Sequence, residues 1–392
     1  MGASVPGFWA CLARELTELR RPGEQIALLW LPLAGVVLAW AIFARGVMED
    51  LPVAVVDHDA TATSRQFIRA LDATAGLRVS ARPPMLDEAW AQLRRGDVYG
   101  VVLVPRDFAQ DLKGGRAVEL PAWYNAQYLT AGNVVARDLQ TAVAGFGASV
   151  EARGRLARGE TRAIASVRLN PVGTQRSTLF NPEMNYGPFL VTGIGAAILH
   201  IAAMLAAVRA VGRELRDGTA PAWLASAGGS RGVALAAKLA VPFAVQVTLG
   251  LGMLIAWHGL LGWPVRGHGW LLAAGMVGLV AAYVALGAAF ALVTANYRLA
   301  SSAAAFFTAP ALAFGGVTFP LESMPGPAWG WGRLLPLTSY LQLQIEQTAR
   351  GAPLAVSLPQ LLALCGYALA GTAVALALVR WRALDPKSWG HR

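Results

Sequence analysis

The sequence predicts an α-helical membrane protein with six transmembrane helices and an α/β extracytoplasmic domain inserted between helices 1 and 2. Three observations carry that class. The 392 residues are 55% hydrophobic and only 14% charged, against about 25% charged in an average soluble domain. The apolar residues are gathered into stretches free of Asp, Glu, Lys and Arg, each long enough to cross a hydrocarbon core about 30 Å thick. One long polar segment, 45–187, alternates strand-like and helix-like patterns, as a small α/β domain does.

Residues 1–25 come first. Phe8, Leu12, Leu16 and Leu19 recur at helical spacing while Arg14, Glu15, Glu18 and Arg21 fall elsewhere, which predicts an amphipathic helix lying on the cytoplasmic membrane face. "IALLWLPLAGVVLAWAIFA", 26–44, is the first span. Its apolar run is too long for a signal peptide and no Ala-x-Ala cleavage site follows. In 45–187, strands are expected at Val53–Val56, Leu77–Ser80, Val98–Val104 and Val118–Tyr124, with helices at Ser64–Ala75, Leu86–Arg95 and Arg106–Leu112. A long helix over Leu129–Arg158 follows. "RLNPVGTQRSTLFNPEMNYGP" then reads as a linker back to the membrane. Region 188–380 holds the other spans: Phe189–Val208, Leu239–Leu261, Gly269–Val293, Leu299–Phe319 and Pro359–Val379. Between them lie a polar loop, 209–238, and a broken aromatic segment, 316–340. A tail, 381–392, closes the chain.

The net charge of +10 is topological. Arg14, Arg20, Arg21, Arg209, Arg213, Arg216, Arg231, Lys238, Arg298, Arg380, Arg382, Lys387 and Arg392 fall on one side of the spans. Only Arg266, Arg333 and Arg350 fall in short loops on the other. The positive-inside rule makes the first side cytoplasmic, so both termini are cytoplasmic, as an even number of spans requires. Nucleic acid is not an expected partner. The two cysteines, Cys11 and Cys365, lie outside the polar domain and form neither a disulfide framework nor a metal site.

No catalytic site is expected. "VAVVDHDATATS" carries Asp57, Asp59 and Thr61 in the pattern of a phosphatase nucleophile and acid/base pair. Yet the segment's one lysine, Lys113, sits in a helix-end turn, and no further acidic pair follows a later strand. A strand-to-helix junction capped by Asp57, Asp59 or Thr61 explains the letters better. The chain has no nucleotide-binding Gly-x-x-x-x-Gly-Lys-Ser/Thr loop, no Gly-x-Ser-x-Gly elbow and no His-Glu-x-x-His helix. The five histidines are scattered, so no metal or cofactor is expected on this chain.

Polar residues inside spans are functional candidates by default. His200 in the second span and Gln246 in the third could line a pathway, or simply bond to a neighbouring helix. The Gly- and Ala-rich fourth and fifth spans suit close helix packing.

The loop "VGRELRDGTAPAWLASAGGSRGVALAAKLAVPF" resembles the Arg-Glu-x-x-x-Gly-Thr segment of type-2 ABC exporter permeases, with the type V exporter architecture. "LPVAVVDHDATATSRQFIRAL" is similar to that family's opening strand after the first span. "RRGDVYGVVLVPRDFAQDLKGG" and "NPEMNYGPFLVTG" are similar to later blocks, as is "FGGVTFPLESMPGPAWGWGRLLPLTSYLQ". The resemblance covers nearly the whole chain in order. It implies that Arg213, Glu214, Gly218 and Thr219 form a coupling segment, with Trp223 and Leu224 as the apolar face meeting an ATPase subunit. It also implies a pair of re-entrant helices at 316–340, where Phe319, Pro320, Met324, Pro325, Pro336 and Thr338 close an extracytoplasmic gate. An interfacial aromatic belt explains Trp329 and Trp331 equally well. "ASAGGSRG" departs from the family, which often has a Pro there.

The implied assembly is a homodimer or paired heterodimer of permeases in a bacterial inner membrane, with two ABC ATPase subunits that carry ATP and Mg. A periplasmic adaptor protein and a hydrophobic or amphipathic, drug-like or lipid-like compound complete the expectation. Two alternatives lack parts. A membrane-anchored sensor needs an output domain inside, and 381–392 is too short for one. An ion-gradient-driven transporter is expected to show mid-membrane acids, and the six stretches contain none.

Overall fold

The computed structural model describes residues 6–44, 46–157, 179–181, 184–388 and 390. Most of the expected linker lies outside them. The chain divides into two compact units, Val47–Thr178 and the remainder, Met1–Gly46 with Leu179–Arg392.

In the smaller unit, β1 (Leu51–Asp57) and β3 (Gly100–Val104) are Val-rich runs largely buried on both faces, as interior parallel strands must be. With β2 (Leu77–Ala81) and β4 (Ala122–Tyr124) they form a four-stranded sheet of order β2-β1-β3-β4. β1 is parallel to β2 and β3, and β4 runs antiparallel at the edge. Helix α3 (Ala62–Asp72), described with its own cap, turns Phe67, Ile68 and Leu71 inward. Phe67 packs its ring 5.4 Å from that of Phe146 on the long helix Leu129–Ala157.

The Asp57 region is a cap. Thr61 accepts from Ser64 N at 3.2 Å and Ser64 Oγ accepts from Thr61 N at 3.0 Å, the reciprocal pair of a capping box. Asp57 in turn accepts from Ser64 Oγ at 2.7 Å.

The larger unit opens with α1 (Phe8–Leu19) and α2 (Pro22–Ile42). Counting on through the smaller unit's α3, α4 (Leu86–Arg95), α5 (Phe108–Lys113) and α6 (Leu129–Ala157), the bundle resumes with α7 (Gly187–Arg216). The short α8 (Ala220–Ser226) leads to α9 (Arg231–Leu260) and α10 (Gly269–Thr294). Then come α11 (Tyr297–Thr308), α12 (Gly326–Leu334), α13 (Pro336–Ile345) and α14 (Leu354–Leu384). Five of these, α2, α7, α9, α10 and α14, are long and apolar enough to cross a membrane. Small residues let them close up. A Cβ on Gly287 of α10 would lie 2.4 Å from Met204 O of α7, and one on Gly371 of α14 would lie 2.8 Å from Ala285 C.

The expected span Leu299–Phe319 is not a single crossing helix. Its helical part, α11, has 12 residues, about 18 Å of rise, against about 30 Å of hydrocarbon. Pro310 cannot donate to a helix, and Gly316 sits at φ +78°, so 309–319 turns instead.

Contacts fix which helix ends share an end of the bundle. Gly7 N donates to Ser226 O at 2.9 Å and Gly390 N to Leu215 O at 3.1 Å. Arg382 Nε donates to Leu292 O at 3.0 Å. At the opposite end Arg266 N and Gly267 N both donate to Gln347 O, at 3.0 and 2.8 Å. Both described chain ends therefore lie at one end of the bundle.

Candidate functional site

The charges that read as a loop, 209–238, sit largely on helix. Arg209, Arg213, Glu214 and Arg216 ride the last turns of α7, and Lys238 rides the third turn of α9. There they are buried: Arg213 is 7% exposed, Glu214 3% and Lys238 1%. Charges so deep need partners, and α1 supplies them. Lys238 Nζ lies 2.6 Å from Glu15 Oε2 and 2.7 Å from Glu214 Oε1. Arg213 reaches Glu15 at 3.1 Å and Glu24 at 3.1 Å, while Arg14 binds Glu214 at 2.8 Å. Arg209 stands 3.5 Å from Glu24. Glu214 also accepts from the Thr219 hydroxyl, so one carboxylate ties α1, α7, α9 and the start of α8 together.

Gly218, at φ +69°, turns the chain between α7 and α8. The Arg216 guanidinium, bonded to Asp217 at 2.7 Å, holds that carboxyl below its ordinary value. Beside the cluster Cys11 of α1 is buried, which pushes its thiol up.

The apolar face expected to meet a partner points the other way. Trp223 is fully buried and Leu224 is 5% exposed. The indole N–H requires an acceptor when buried, and it finds Ala234 O at 3.2 Å. Its ring also lies 5.8 Å from Lys238 Nζ. What α8 exposes is small: Ala222 and Ala225, followed by Gly228, Gly229, Ser230, Arg231 and Gly232. The helix α1 is likewise turned inward, with Trp9 and Leu16 exposed and Cys11 and Glu15 buried.

His200 and Gln246 are fully buried and committed within the chain. His200 ring nitrogens lie 3.3 Å from both Ala196 O and Thr308 O; a neutral ring donates to only one of them. Its ring centroid is 4.6 Å from that of Tyr283, whose hydroxyl accepts from Leu337 N at 3.3 Å. Gln246 Nε2 donates to Leu28 O at 2.8 Å. The donor that a helix would offer that carbonyl belongs to residue 32, which is a proline with no N–H. Neither residue lines the two cavities described below.

At 316–340 two short helices, α12 and α13, do form. Phe319 is half exposed at 50%, and Pro320 and Pro325 precede helical turns while Pro336 begins α13. Met324 closes the turn between them. Thr338 is 3% exposed, and its hydroxyl has no partner among the described residues. Arg333 stacks 4.6 Å over Trp329.

A polar network just beyond α13 went unnoticed in the sequence. Glu346 accepts from Ser357 Oγ at 2.6 Å and Gln360 Nε2 at 2.9 Å. Gln347 donates to Ser357 Oγ at 2.7 Å and accepts from His268 N at 2.7 Å. Burial pushes the Glu346 carboxyl above its ordinary value. The missed signal is the Glu-Gln pair beside an i+11 serine and i+14 glutamine, visible only as polar letters flanking an apolar run.

Two cavities flank this core. One, of about 440 Å³, runs from Glu24 and Arg209 along Leu28, Leu31, Ile198 and Leu205. The other, of about 540 Å³, lies at the opposite end, between Trp263, Arg266, Leu341 and Arg350. Among the described residues no group of three or more His, Cys, Asp or Glu could hold a metal ion.

A bundle of helices long and apolar enough to cross a membrane, bound at one end by a buried charge cluster, defines a multi-pass membrane protein. The chain belongs to a known family of such proteins: the profile described as "ABC-2 family transporter protein" matches residues 24–377. It is similar to the "Inner membrane transport permease YhhJ" of Escherichia coli (strain K12), 24% identical over 379 residues, 94% of this chain and 95% of the relative. The protein of that name from Shigella flexneri matches to the same extent. The protein is an ABC-2 family transporter protein with helices long and apolar enough to cross a membrane.

Proposed function

We propose that this permease is the membrane subunit of an ATP-driven exporter whose ATPase is a separate chain. The observation that carries the reading is the ion cluster of Glu15, Arg213, Glu214 and Lys238. It clamps α8 to the ends of three helices, so a push on α8 moves α1, α7 and α9 as one body. An ATPase would contact Gly218, Thr219, Ala222, Ala225 and the Gly228–Gly232 turn, while Arg213, Glu214, Trp223 and Leu224 transmit from within.

The end holding both described termini is cytoplasmic, by its excess of Arg and Lys. An even number of crossings is then needed, so α11, the 309–319 turns and α12–α13 together make the remaining passage. Such irregular backbone is tolerated at membrane depth only where protein or water covers it. Phe319, Pro320, Met324, Pro325, Pro336 and Thr338 would then form the outer gate.

The exposed face of α11, with Ser302 and Ala305 beside Phe306 at 77% exposed, suits a second permease copy. The 440 Å³ cavity, apolar along its length and charged at Glu24 and Arg209, suits an amphipathic compound entering from the inner leaflet. An adaptor would dock on the 47–157 region.

The test is co-purification of the detergent-solubilised permease with an ABC ATPase encoded beside it, with ATP hydrolysis as the readout. Stimulated hydrolysis, weakened by Glu214→Ala, supports the reading. A folded, monodisperse permease that recruits no ATPase sinks it.

A further inference from the structure

The sequence places three arginines in short loops opposite the basic end, Arg266, Arg333 and Arg350. Arg333 is engaged with Trp329. The other two meet at one cavity, about 540 Å³ in volume.

They are brought together by backbone. Arg266 N and Gly267 N donate to Gln347 O, which joins the 262–268 loop to the turn after α13. Gly351, at φ +64°, presses so close that a Cβ there would lie 3.1 Å from Arg266 O. A bulkier residue would part the two loops. Among the described residues neither guanidinium has a hydrogen bond or ion pair. The neighbouring carboxylate, Glu346, is bonded instead by Ser357 and Gln360.

The walls are of two kinds. Phe189, Trp263 and Leu341 offer apolar surface. Gln344 is 4% exposed and its Oε1 has no donor among the described residues, which costs free energy unless a ligand or water satisfies it. Two guanidiniums at the mouth of an apolar cavity, neither hydrogen-bonded nor ion-paired among the described residues although Glu346 feels the charge of Arg350, match an anion on a hydrocarbon chain, since arginine pairs with phosphate through two parallel hydrogen bonds.

We propose that this cavity is a binding site for an amphiphile with an anionic, phosphate-type headgroup. Arg266 and Arg350 hold the headgroup, Gln344 Oε1 accepts from a headgroup hydroxyl where there is one, and Phe189, Trp263 and Leu341 seat the chain. The site rests on the export reading only for its role as the last station before release.

The test uses the full chain in phosphatidylcholine nanodiscs, without ATPase, titrated calorimetrically with dodecyl phosphate, dodecyltrimethylammonium and inorganic phosphate. Both arginines are exposed, so Arg266→Gln and Arg350→Gln spare the fold, and an unchanged unfolding temperature checks this. The double variant is expected to weaken dodecyl phosphate at least about tenfold, roughly 1.4 kcal/mol. Arg333→Gln is expected to leave it unchanged, and dodecyltrimethylammonium is expected not to compete. Equal binding by wild type and double variant overturns the site. Inorganic phosphate binding as tightly as dodecyl phosphate overturns the amphiphile. Failure to recruit an ATPase would leave these titrations intact, so the two readings fail separately.

Discussion

Lys238 Nζ sits 2.7 Å from Glu214 Oε1, with the lysine 1% and the glutamate 3% exposed. A charge so buried depends on its counter-charges, and Glu15 supplies the other at 2.6 Å. The pair is the hinge pin of the cluster.

Lys238→Met leaves Glu15 and Glu214 short of a positive charge, and removing one partner of a buried pair costs about 3–5 kcal/mol. The expected outcome is a large fall in unfolding temperature. Adding Glu15→Gln should recover much of it, since Arg213 keeps Glu24 and Glu214 keeps Arg14. A single variant as stable as wild type would show that the cluster is solvated.

The two faces of α8 predict opposite phenotypes. Trp223→Ala empties a fully buried site, at about 3–5 kcal/mol, and is read as a drop in unfolding temperature. Ala222→Glu and Ala225→Glu lie on the exposed face and should leave stability unchanged while abolishing ATPase co-purification. If these glutamates stay coupled, docking lies elsewhere.

How much of this was legible in the sequence depends on what each residue reports. Composition located the apolar helices, and β-branched runs located the strands. Arg213 and Glu214 stood out as charges near a span. Their partners did not, because nothing local links Glu15 to a lysine 223 positions away. The apolar side of "APAWLASA" was visible, but amphipathicity cannot say whether that side meets a partner or the chain's own bundle. Absence of charge suggested a span at 299–319, while Pro310 and Gly316 carried the contrary signal. Pro32 likewise implied an orphaned carbonyl, but only the fold shows Gln246 answering it.

Helix contact predicts where glycine is required. Gly287→Ala places a methyl 2.4 Å from a backbone oxygen of α7, which cannot rotate away, so about 1–3 kcal/mol should be lost. Gly366 has nothing within 4 Å, and Gly366→Ala should gain up to about 1 kcal/mol from helix propensity. Thermal unfolding of the two variants compares them directly; equal shifts would refute the packing.

Glu346 predicts a pH dependence. Its carboxyl is raised by burial, so folding favours the protonated form. Its contribution to stability is complete below the unfolded value, about 4.3, and is lost as pH rises through the higher folded value. Glu346→Gln should flatten the profile of unfolding temperature above about pH 4. A slope parallel to wild type would count against it.

The ion cluster also sets an order of assembly. Synthesis makes α1 first, yet the lysine that answers Glu15 is 223 residues later. Until α9 has entered the bilayer, Glu15 has only Arg213 of α7 to meet it, and the groove that seats α1 is incomplete. Completion of its docking is thus a late event of biogenesis. A nascent chain halted before residue 238 leaves an incompletely docked acidic helix, a mark by which quality control could tell an unfinished permease from a finished one.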